Sequence, residues 1–465
     1  MERIGWHDLA TATQGRLVPA GVWGACERIS TDSRDIQPGD VFWALPGVKF
    51  DGHDFATNAV QQGAKLVVCR SDRSAGIPGS RLVVDDPLKA LSRLAAWYRK
   101  RLETLIIGVT GSVGKSTTKE LLFAALSPQF TGLRSPASFN NAVGLPKSLL
   151  AIEPDHEFAV LELGASRRGE IRDLAAVAQP EIGVITAIAK AHLETFGGME
   201  GVIAAKGELL AALPETGFAV LPGDDPVTRG MASRARCRVL FVGEGADNDL
   251  RGEDVIAGAD LRFVADGESF RVPIAGRQHL TNALLAIAVA REVGVPLDLV
   301  ADGLSTFQPL PGRCRTLTAG PWTVIDDCYN ASPLAVEAAC RLLAGPTWPL
   351  AARRYLVLGD MRELGATAAD EHRAIGRLCG ELGLAGVLAF GDHATDVAAG
   401  ANRSGLPPGR LVATRSLDVL LAVLDCWLEP GDVVLVKGSR AMQMERVVDW
   451  LQSRAAAGTE QRRCA

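Results

Sequence analysis

The sequence lacks any run of about 18 uncharged apolar residues, the length that a membrane-spanning helix requires. Its first residues, Met1 to His7, also lack the apolar stretch of a secretory signal peptide. Basic side chains are not in excess, because the chain has 49 Lys and Arg and 54 Asp and Glu, which give a net charge of -5. This balance argues against a broad basic surface for nucleic acid. We therefore expect a cytoplasmic protein that binds neither membranes nor nucleic acids.

Disulfide and zinc motifs are also missing. The nine cysteines include no Cys-x-x-Cys pair, and an odd number suits reduced thiols in a reducing compartment. Hydrophobic residues at 47% and charged residues at 22% lie near the globular average, which excludes wholesale disorder, collagen and coiled coil. At roughly 100–200 residues per domain, the 465 residues indicate about three folded domains.

The hydrophobic pattern changes twice along the chain. The first 100 residues contain short apolar runs between turn residues, such as Val41 to Leu45 and Leu66 to Val68. From residue 101, a buried strand at Leu105 to Thr110 is followed by a Gly loop and a helical run at Lys115 to Leu126. Pro309-Leu310-Pro311-Gly312 then precedes a third set of alternating strands and helices.

These changes predict an α/β protein with three domains, over residues 1–100, 101–312 and 313–465. Apolar strands separated by helices are typical of parallel sheets that helices cover on both faces. In the second segment such strands are predicted at Phe158–Leu163, Ile182–Thr186 and Phe218–Leu221.

A glycine-rich loop between the strand and the helix of the second segment carries the sharpest local motif. It reads Thr110, Gly111, Ser112, Val113, Gly114, Lys115, Ser116, Thr117. Backbone N–H groups of such a loop attract phosphate oxygens, Lys115 adds a positive charge, and Ser116 can hold Mg²⁺. The usual P-loop has Gly five residues before Gly114, where this chain has Val109. The alternative is a plain Gly-rich turn.

Three ionisable residues of the same segment are candidates for metal chemistry. Glu162 ends a predicted strand, where ligands of parallel sheets collect, although a solvated strand-end Glu fits equally. His192 follows the strand that ends near Ile188, and a structural histidine is the alternative. Lys206 lies within a helical pattern, where an exposed helix lysine is the alternative.

Two polar clusters could face a ligand. The stretch Gly276 to Ala283 opens a helix-like run and contains Asn282, which could hydrogen-bond a base or a ribose; an N-cap region is the alternative. The stretch Asp326 to Pro333 ends a strand with acids, an aromatic ring and an amide, and an acidic turn is the alternative.

These motifs, in this order, resemble those of the Mur ligase family, the ATP-dependent ligases that build the peptide of bacterial cell-wall precursors. The resemblance runs through nearly the whole chain. The family's shortened phosphate loop, Thr-Gly-x-x-Gly-Lys-Ser/Thr, accounts for Val109. The resemblance implies that Glu162 and His192 bind metal and that Lys206 is carboxylated by CO₂. It also implies that Asn282 lies beside the adenine of ATP and that Arg313 reaches the ATP phosphates.

Within the family, the chain resembles the branch that adds D-alanyl-D-alanine. The Asp-Asn-Pro-Arg loop of the branch that adds diaminopimelate or lysine is absent. Branch-like motifs stand at Thr31–Arg34, Asn140–Asn141, Asp327–Pro333, Leu358–Gly365 and Lys437–Arg440.

The resemblance implies roles for further residues. The N-terminal domain would hold the UDP-sugar end of the substrate through Ser33 and Arg34. The amides Asn140 and Asn141 would contribute to substrate binding. On the other side, the C-terminal ligase domain would have a Rossmann-like fold. Its residues Asp327, Tyr329 and Asn330 would face D-alanyl-D-alanine.

The implied reaction joins UDP-N-acetylmuramoyl-tripeptide to D-alanyl-D-alanine in a central P-loop-type ATPase domain, with release of ADP and phosphate. The resemblance further implies two Mg²⁺ ions, one on Ser116 and Glu162 and one on His192 and carboxylated Lys206, in a monomeric enzyme. One alternative is the sister ligase that adds the third amino acid. Another is a nucleotide-dependent binding protein without ligase activity.

Overall fold

The computed structural model describes residues 1–47, 49–190 and 193–463, with side chains as far as residue 456. Within these residues the chain forms three α/β units, each with its own main β-sheet, and this confirms the predicted fold class. None of the helices in these ranges is long and apolar enough to cross a membrane.

The first unit contains a mixed sheet with the strand order β2-β7-β6-β5-β4, in which β2 runs antiparallel to β7 and the other neighbours are parallel. Its elements are β1 (Ile4–Gly5), α1 (Trp6–Thr13), β2 (Arg16–Val18), β3 (Ala25–Cys26), β4 (Ile29–Ser30), β5 (Val41–Trp43), α2 (Ala56–Gln61), β6 (Leu66–Arg70), β7 (Ser80–Val84) and α3 (Pro87–Arg99). Short 3₁₀ helices lie at Gly52–Phe55 and Ser71–Arg73.

Helix α3 attaches this unit to the next one. Asp86 caps the helix by accepting from the backbone N–H of Leu88 at 2.9 Å, and Pro87 is compatible with the first helical turn. At the other end, the Tyr98 hydroxyl donates to the Ile152 carbonyl at 2.7 Å, and Arg99 Nε donates to the Ala178 carbonyl at 2.9 Å. One apolar core therefore runs from the first sheet into the middle unit.

The middle unit is built on a parallel sheet with the strand order β14-β13-β12-β11-β8-β10-β9. Its first elements are β8 (Leu105–Thr110), α4 (Lys115–Leu126), β9 (Gly132–Arg134), α5 (Gly144–Leu150), β10 (Phe158–Glu162), α6 (Glu170–Ala178), β11 (Ile182–Ile185), α7 (Leu193–Phe196), α8 (Met199–Lys206) and α9 (Glu208–Ala212). The others are β12 (Phe218–Pro222), α10 (Pro226–Gly230), the 3₁₀ helix Met231–Arg234, β13 (Arg238–Gly243), β14 (Leu250–Arg251), β15 (Glu253–Ala257), β16 (Leu261–Ala265), β17 (Glu268–Val272), α11 (His279–Glu292) and α12 (Leu297–Ser305).

Both faces of this sheet are covered by helices. Helices α4, α11 and α12 pack on one face, and α5, α6 and α9 pack on the other. Strands β11, β8 and β10 are adjacent at the centre and parallel. The loops that follow these three strands therefore meet at one edge of the sheet, where ligands of such sheets bind.

The antiparallel sheet β15-β16-β17 is not predicted from the sequence. Strands β16 and β17 pair from Leu261 with Val272 to Ala265 with Glu268, across the turn residues Asp266 and Gly267. Both turn residues have positive φ, 49° and 78°, as a two-residue hairpin turn of type I′ requires. An Asp-Gly pair between alternating strands is the signal that reveals this hairpin.

The third unit has the strand order β18-β19-β23-β20-β21-β22, parallel except for β18. Its elements are β18 (Arg315–Ala319), β19 (Trp322–Asp327), α13 (Pro333–Ala344), β20 (Arg354–Gly359), α14 (Ala368–Glu381), β21 (Gly386–Phe390), α15 (Ala394–Arg403), β22 (Leu411–Thr414), α16 (Leu417–Trp427), β23 (Val433–Lys437) and α17 (Glu445–Arg463), with 3₁₀ helices at Gly365–Thr367, Pro408–Arg410 and Arg440–Met442. Apolar cores lie on both faces of the sheet. The loops after β19, β20 and β23 share one edge.

Candidate functional site

The carboxyl edges of the middle and third sheets both line a cavity of about 1090 Å³. The middle unit contributes residues 112–117, Glu162 and Asn282. The third unit contributes residues 327 and 329–332, residues 362–364 and residues 439–441. Residues of two different units therefore line one space.

The glycine loop between β8 and α4 has the shape of a phosphate cradle. Gly111 and Gly114 have φ of 148° and 89°, a region that favours glycine. No side chain caps the N-terminus of α4, a helix of 12 residues. Its first N–H groups are thus available to an anion. The Thr110 hydroxyl is buried and donates to the Leu163 carbonyl at 2.7 Å, so Thr110 supports the loop from below.

Lys115 is folded back over this loop. Its Nζ donates to the Gly111 carbonyl at 2.8 Å. Desolvation lowers the pKa of Lys115, and the Arg313 guanidinium also lowers it, whereas Glu162 raises it. A phosphate anion in the cradle would supply the counter-charge that this desolvated ammonium needs.

Substitution of Gly114 by alanine should weaken ADP binding strongly. A Cβ at position 114 would lie 2.7 Å from Asn282 Oδ1, and φ there is +89°. Gly383→Ala is the matched control, because φ is +65° there and nothing lies within 4 Å of the added Cβ. Both variants carry a backbone cost of about 1–2 kcal/mol. Isothermal titration with ADP should show a loss for Gly114→Ala alone, and equal affinities in both variants would contradict this account of the cradle.

Glu162, the last residue of β10, contacts the phosphate cradle. Ser116 Oγ donates to Glu162 Oε2 at 2.9 Å, and Asn140 Nδ2 donates to Glu162 Oε1 at 2.9 Å. The carboxylate is 1% exposed. Among the described residues, no lysine or arginine forms an ion pair with it, although a buried carboxylate requires compensation. A hydroxyl and a carboxylate oxygen at this position fit a Mg²⁺ ion whose other ligands are phosphate and water.

Lys206 is buried at the end of α8, with 2% of its surface exposed. This excludes the alternative of an exposed helix lysine. Its Nζ donates a long hydrogen bond of 3.4 Å to the Ala165 carbonyl and lies 5.5 Å from the centre of the Phe196 ring. Burial, followed by the charge of Lys115, lowers the pKa of Lys206 to about 7. Lys206 does not line the cavity described above.

His192 lies outside the described residues, so its role stays a prediction. Within residues 1–47, 49–190 and 193–456, no cluster of three or more His, Cys, Asp or Glu side chains could hold a metal ion.

The middle and third units contact each other across the cavity. Arg313 Nη2 donates to Ser116 Oγ at 3.1 Å, and the Arg313 guanidinium lies 3.8 Å from the centre of the Tyr329 ring. The Tyr329 hydroxyl donates to Ser138 Oγ at 2.6 Å. Arg313 therefore lies beside Ser116 of the phosphate cradle, and its contact with the ATP phosphates remains a prediction.

The loop after β19 is held by Lys437, a buried residue at the end of β23. Lys437 Nζ forms an ion pair with Asp327 Oδ2 at 2.5 Å and donates to the Asn330 carbonyl at 3.1 Å. Asp327 and Asn330 line the cavity. Lys437 thus orders the loop by which these two residues reach the cavity.

The remaining predicted residues lie away from the cavity. Asn141 accepts through Oδ1 from the backbone N–H of Val143 at 3.1 Å and that of Gly144 at 2.9 Å, so it orders the turn that precedes α5. Arg34 is exposed and pairs with Asp32 at 2.7 Å. Ser33 lies in the same loop, outside the cavity lining. Their predicted roles in substrate binding remain predictions.

Comparison with known proteins places this architecture in a family. Residues 26–99 match the Mur ligase family catalytic domain, residues 109–290 the Mur ligase middle domain, and residues 312–440 the Mur ligase glutamate ligase domain. A UDP-N-acetylmuramoyl-tripeptide--D-alanyl-D-alanine ligase from Bacillus subtilis (strain 168) is 34% identical over 427 residues, which cover 90% of this chain and 92% of the relative. The chain belongs to the Mur ligase family.

Solved Mur ligase structures agree with this assignment. MurF from Acinetobacter baumannii superimposes with a TM-score of 0.89 at 31% identity, over 97% of this chain and 99% of that one. MurF ligase from Thermotoga maritima, solved in complex with ADP, gives a TM-score of 0.80 at 29% identity, over 92% of this chain and 98% of that one.

The sequence analysis of this Mur ligase missed several residues that organise the site. Ser138 contacts Tyr329, Lys437 holds the loop after β19, and Arg362 and Arg440 line the cavity. Ser138 precedes the Asn140–Asn141 motif, and Lys437 and Arg440 belong to a motif already noted. Proximity to those motifs is the signal that could have identified them.

Proposed function

We propose that this chain joins D-alanyl-D-alanine to UDP-N-acetylmuramoyl-tripeptide, with cleavage of ATP to ADP and phosphate. The product is the UDP-muramoyl-pentapeptide precursor of peptidoglycan. The observation that carries the proposal is the cavity in which Lys115, Ser116 and Glu162 face the Tyr329 loop of another unit. The Mur ligase relationship and the names of the relatives support the choice of substrates.

The reaction requires activation of a carboxylate, which is a poor electrophile. The substrate carboxylate oxygen attacks the γ-phosphorus of ATP, ADP leaves, and an acyl phosphate forms. The dipeptide amine then attacks the acyl carbon, loses a proton, and releases phosphate. Phosphoryl transfer depends mostly on positioning and charge neutralisation, and an acyl phosphate must be kept from water.

Residues of the middle unit hold the nucleotide in this proposal. The loop from Gly111 to Thr117 binds the phosphates, Lys115 neutralises charge on them, and Asn282 lies beside the adenine. Ser116 and Glu162 hold Mg²⁺, with Asn140 orienting the carboxylate. When bound, the ion neutralises phosphate charge and fixes the orientation of the transferring group.

A second Mg²⁺ on His192 and a carbamate of Lys206 completes the proposed metal set. Lys206 supports this role because it is buried and its pKa of about 7 leaves a large neutral fraction near pH 7. Carboxylation needs that neutral amine. The reaction adds CO₂ to the amine nitrogen and releases one proton.

Each of the three proposed domains binds a different substrate. Residues 1–100 hold the UDP-sugar end through Ser33 and Arg34, residues 101–312 hold ATP, and residues 313–465 hold D-alanyl-D-alanine near Asp327, Tyr329 and Asn330. The contacts of Arg313 with Ser116 and of Tyr329 with Ser138 join the last two domains across the cavity. Fuller closure of these domains around the substrates would exclude water from the acyl phosphate. We further propose that the enzyme is a cytoplasmic monomer.

Release of phosphate should require both D-alanyl-D-alanine and the UDP-linked tripeptide. A coupled phosphate assay checks this expectation with ATP and Mg²⁺, omitting each substrate in turn. The control offers free diaminopimelate with the UDP-linked dipeptide, the substrates of the sister ligase. Equal turnover with that pair would contradict the assignment to the branch that adds D-alanyl-D-alanine. ATP binding without ligation of either pair would favour the binding-protein alternative.

A further inference from the structure

Lys119 is a fully buried lysine that neither the sequence motifs nor the proposed reaction assigns a role. It lies on α4, one turn after the phosphate cradle, and its side chain is 0% exposed. Its Nζ donates to the Ser135 carbonyl at 2.6 Å and to the Ala137 carbonyl at 2.7 Å. A third neighbour is Glu120 Oε1 at 3.3 Å. Burial of an ammonium group is costly, so the contacts that it makes need an explanation.

The segment that Lys119 holds, residues 135–141, positions two parts of the active site. Ser135 Oγ accepts from the backbone N–H of Glu162 at 3.2 Å, and Asn140 Nδ2 donates to the Glu162 carboxylate at 2.9 Å. Between them, Ser138 Oγ accepts from the Tyr329 hydroxyl at 2.6 Å. One short segment thus contacts both the carboxylate below the cradle and the third domain.

The backbone of this segment needs external support. Ala137 has φ of +43°, which is unfavourable for a residue with a Cβ. Lys119 binds the carbonyl of Ala137 itself and the carbonyl two residues earlier. Strained backbone of this kind persists where surrounding contacts fix it.

The geometry points to Lys119 as a positioning residue that fixes residues 135–141 relative to the phosphate cradle. Asn140 of this segment then orients the Glu162 carboxylate, and Ser138 orients the Tyr329 hydroxyl. The same helix begins with Lys115 and Ser116 at the cradle, so Lys119 sets the spacing between the phosphate side and the carboxylate side of the site. This role rests on the proposed ligase function.

Lys119→Met tests the proposal, because methionine fills a similar volume and cannot donate hydrogen bonds. We expect the Mg²⁺ concentration for half-maximal activity to rise about 10–100-fold, as for other residues that orient metal ligands. The melting temperature should report whether the variant is folded. Lys89→Met, on the exposed side of α3, is the matched control and should keep the wild-type Mg²⁺ requirement.

Hydrogen exchange provides a readout that needs no substrate or metal. Amides of residues 135–141 should exchange faster in Lys119→Met, while amides in the interior of α11 should exchange as in the wild type. Because this measurement is independent of ligation, an inactive wild-type enzyme would overturn the proposed function and leave the test of residues 135–141 intact.

A double-mutant cycle with Asn140→Ala separates positioning from general destabilisation. If Lys119 acts through Asn140 on Glu162, the double variant should need no more Mg²⁺ than the worse single variant. Three results would each overturn the proposal. The first is that the two substitutions multiply each other's effect on the Mg²⁺ requirement. The others are a wild-type Mg²⁺ requirement in Lys119→Met and unchanged hydrogen exchange in residues 135–141.

Discussion

Lys115→Ala should lower the rate of phosphate release on the order of 10²-fold or more, the loss typical of removing one preorganised electrostatic contact. Lys115 places its charge at the phosphate cradle, where negative charge shifts during transfer. The substitution removes a half-buried side chain whose hydrogen-bond partner is a carbonyl of the same loop, so the fold should persist. A coupled phosphate assay and a thermal melt measure the two effects.

Lys89→Ala is the control for this prediction, because Lys89 is an exposed lysine on α3 outside the cavity lining. It should retain wild-type activity. A near-wild-type rate for Lys115→Ala would show that the loop is only a structural turn. A large loss of melting temperature would assign the effect to folding instead.

The sequence predicts local features of this Mur ligase well. Strand β8 and helix α4 begin and end at the predicted residues, because a buried apolar run, a Gly loop and a helical pattern follow one another directly. The hairpin around Asp266 and Gly267 was missed, because its strands alternate buried residues with exposed ones such as Arg262 and Arg271 and therefore lack the continuous apolar run of the parallel strands.

Contacts between distant segments could not be predicted in the same way. Tyr329 and Ser138 are 191 residues apart, and their contact depends on how two domains pack. The contact of Lys119 with Ser135 spans 16 residues and depends on the path of the loop after β9. A motif identifies which residues carry chemistry, whereas tertiary packing decides which residues hold them.

Lys206 is a second case in which tertiary packing adds what the sequence does not show. Its sequence context alone favours an exposed lysine, and its predicted role came from resemblance. Burial at 2% exposure supplies a physical reason to prefer a special role, since an unmodified ammonium is poorly solvated there. An ammonium also offers no lone pair to a metal and repels it, whereas a carbamate presents two anionic oxygens.

Lys206→Ala should therefore be almost inactive and partly rescued by millimolar short-chain carboxylic acids. Removal of the side chain leaves space in which a small carboxylate can place its two oxygens. Lys206→Met is the matched variant that fills this space, and it should gain nothing from the acids. Lys115→Ala should also gain nothing, because its missing group is a cation. Phosphate release with and without acetate or propionate measures the rescue.

A direct spectroscopic test accompanies the rescue experiment. Wild-type enzyme in ¹³C-bicarbonate with Mg²⁺ should show a carbamate resonance by NMR, and Lys206→Met should lack it. The variant provides the comparison because other amines can also react with CO₂. Normal activity in Lys206→Ala would refute the role of this residue. Identical carbamate spectra for the two proteins would refute the modification, because the lysine that distinguishes them would then carry no detectable CO₂.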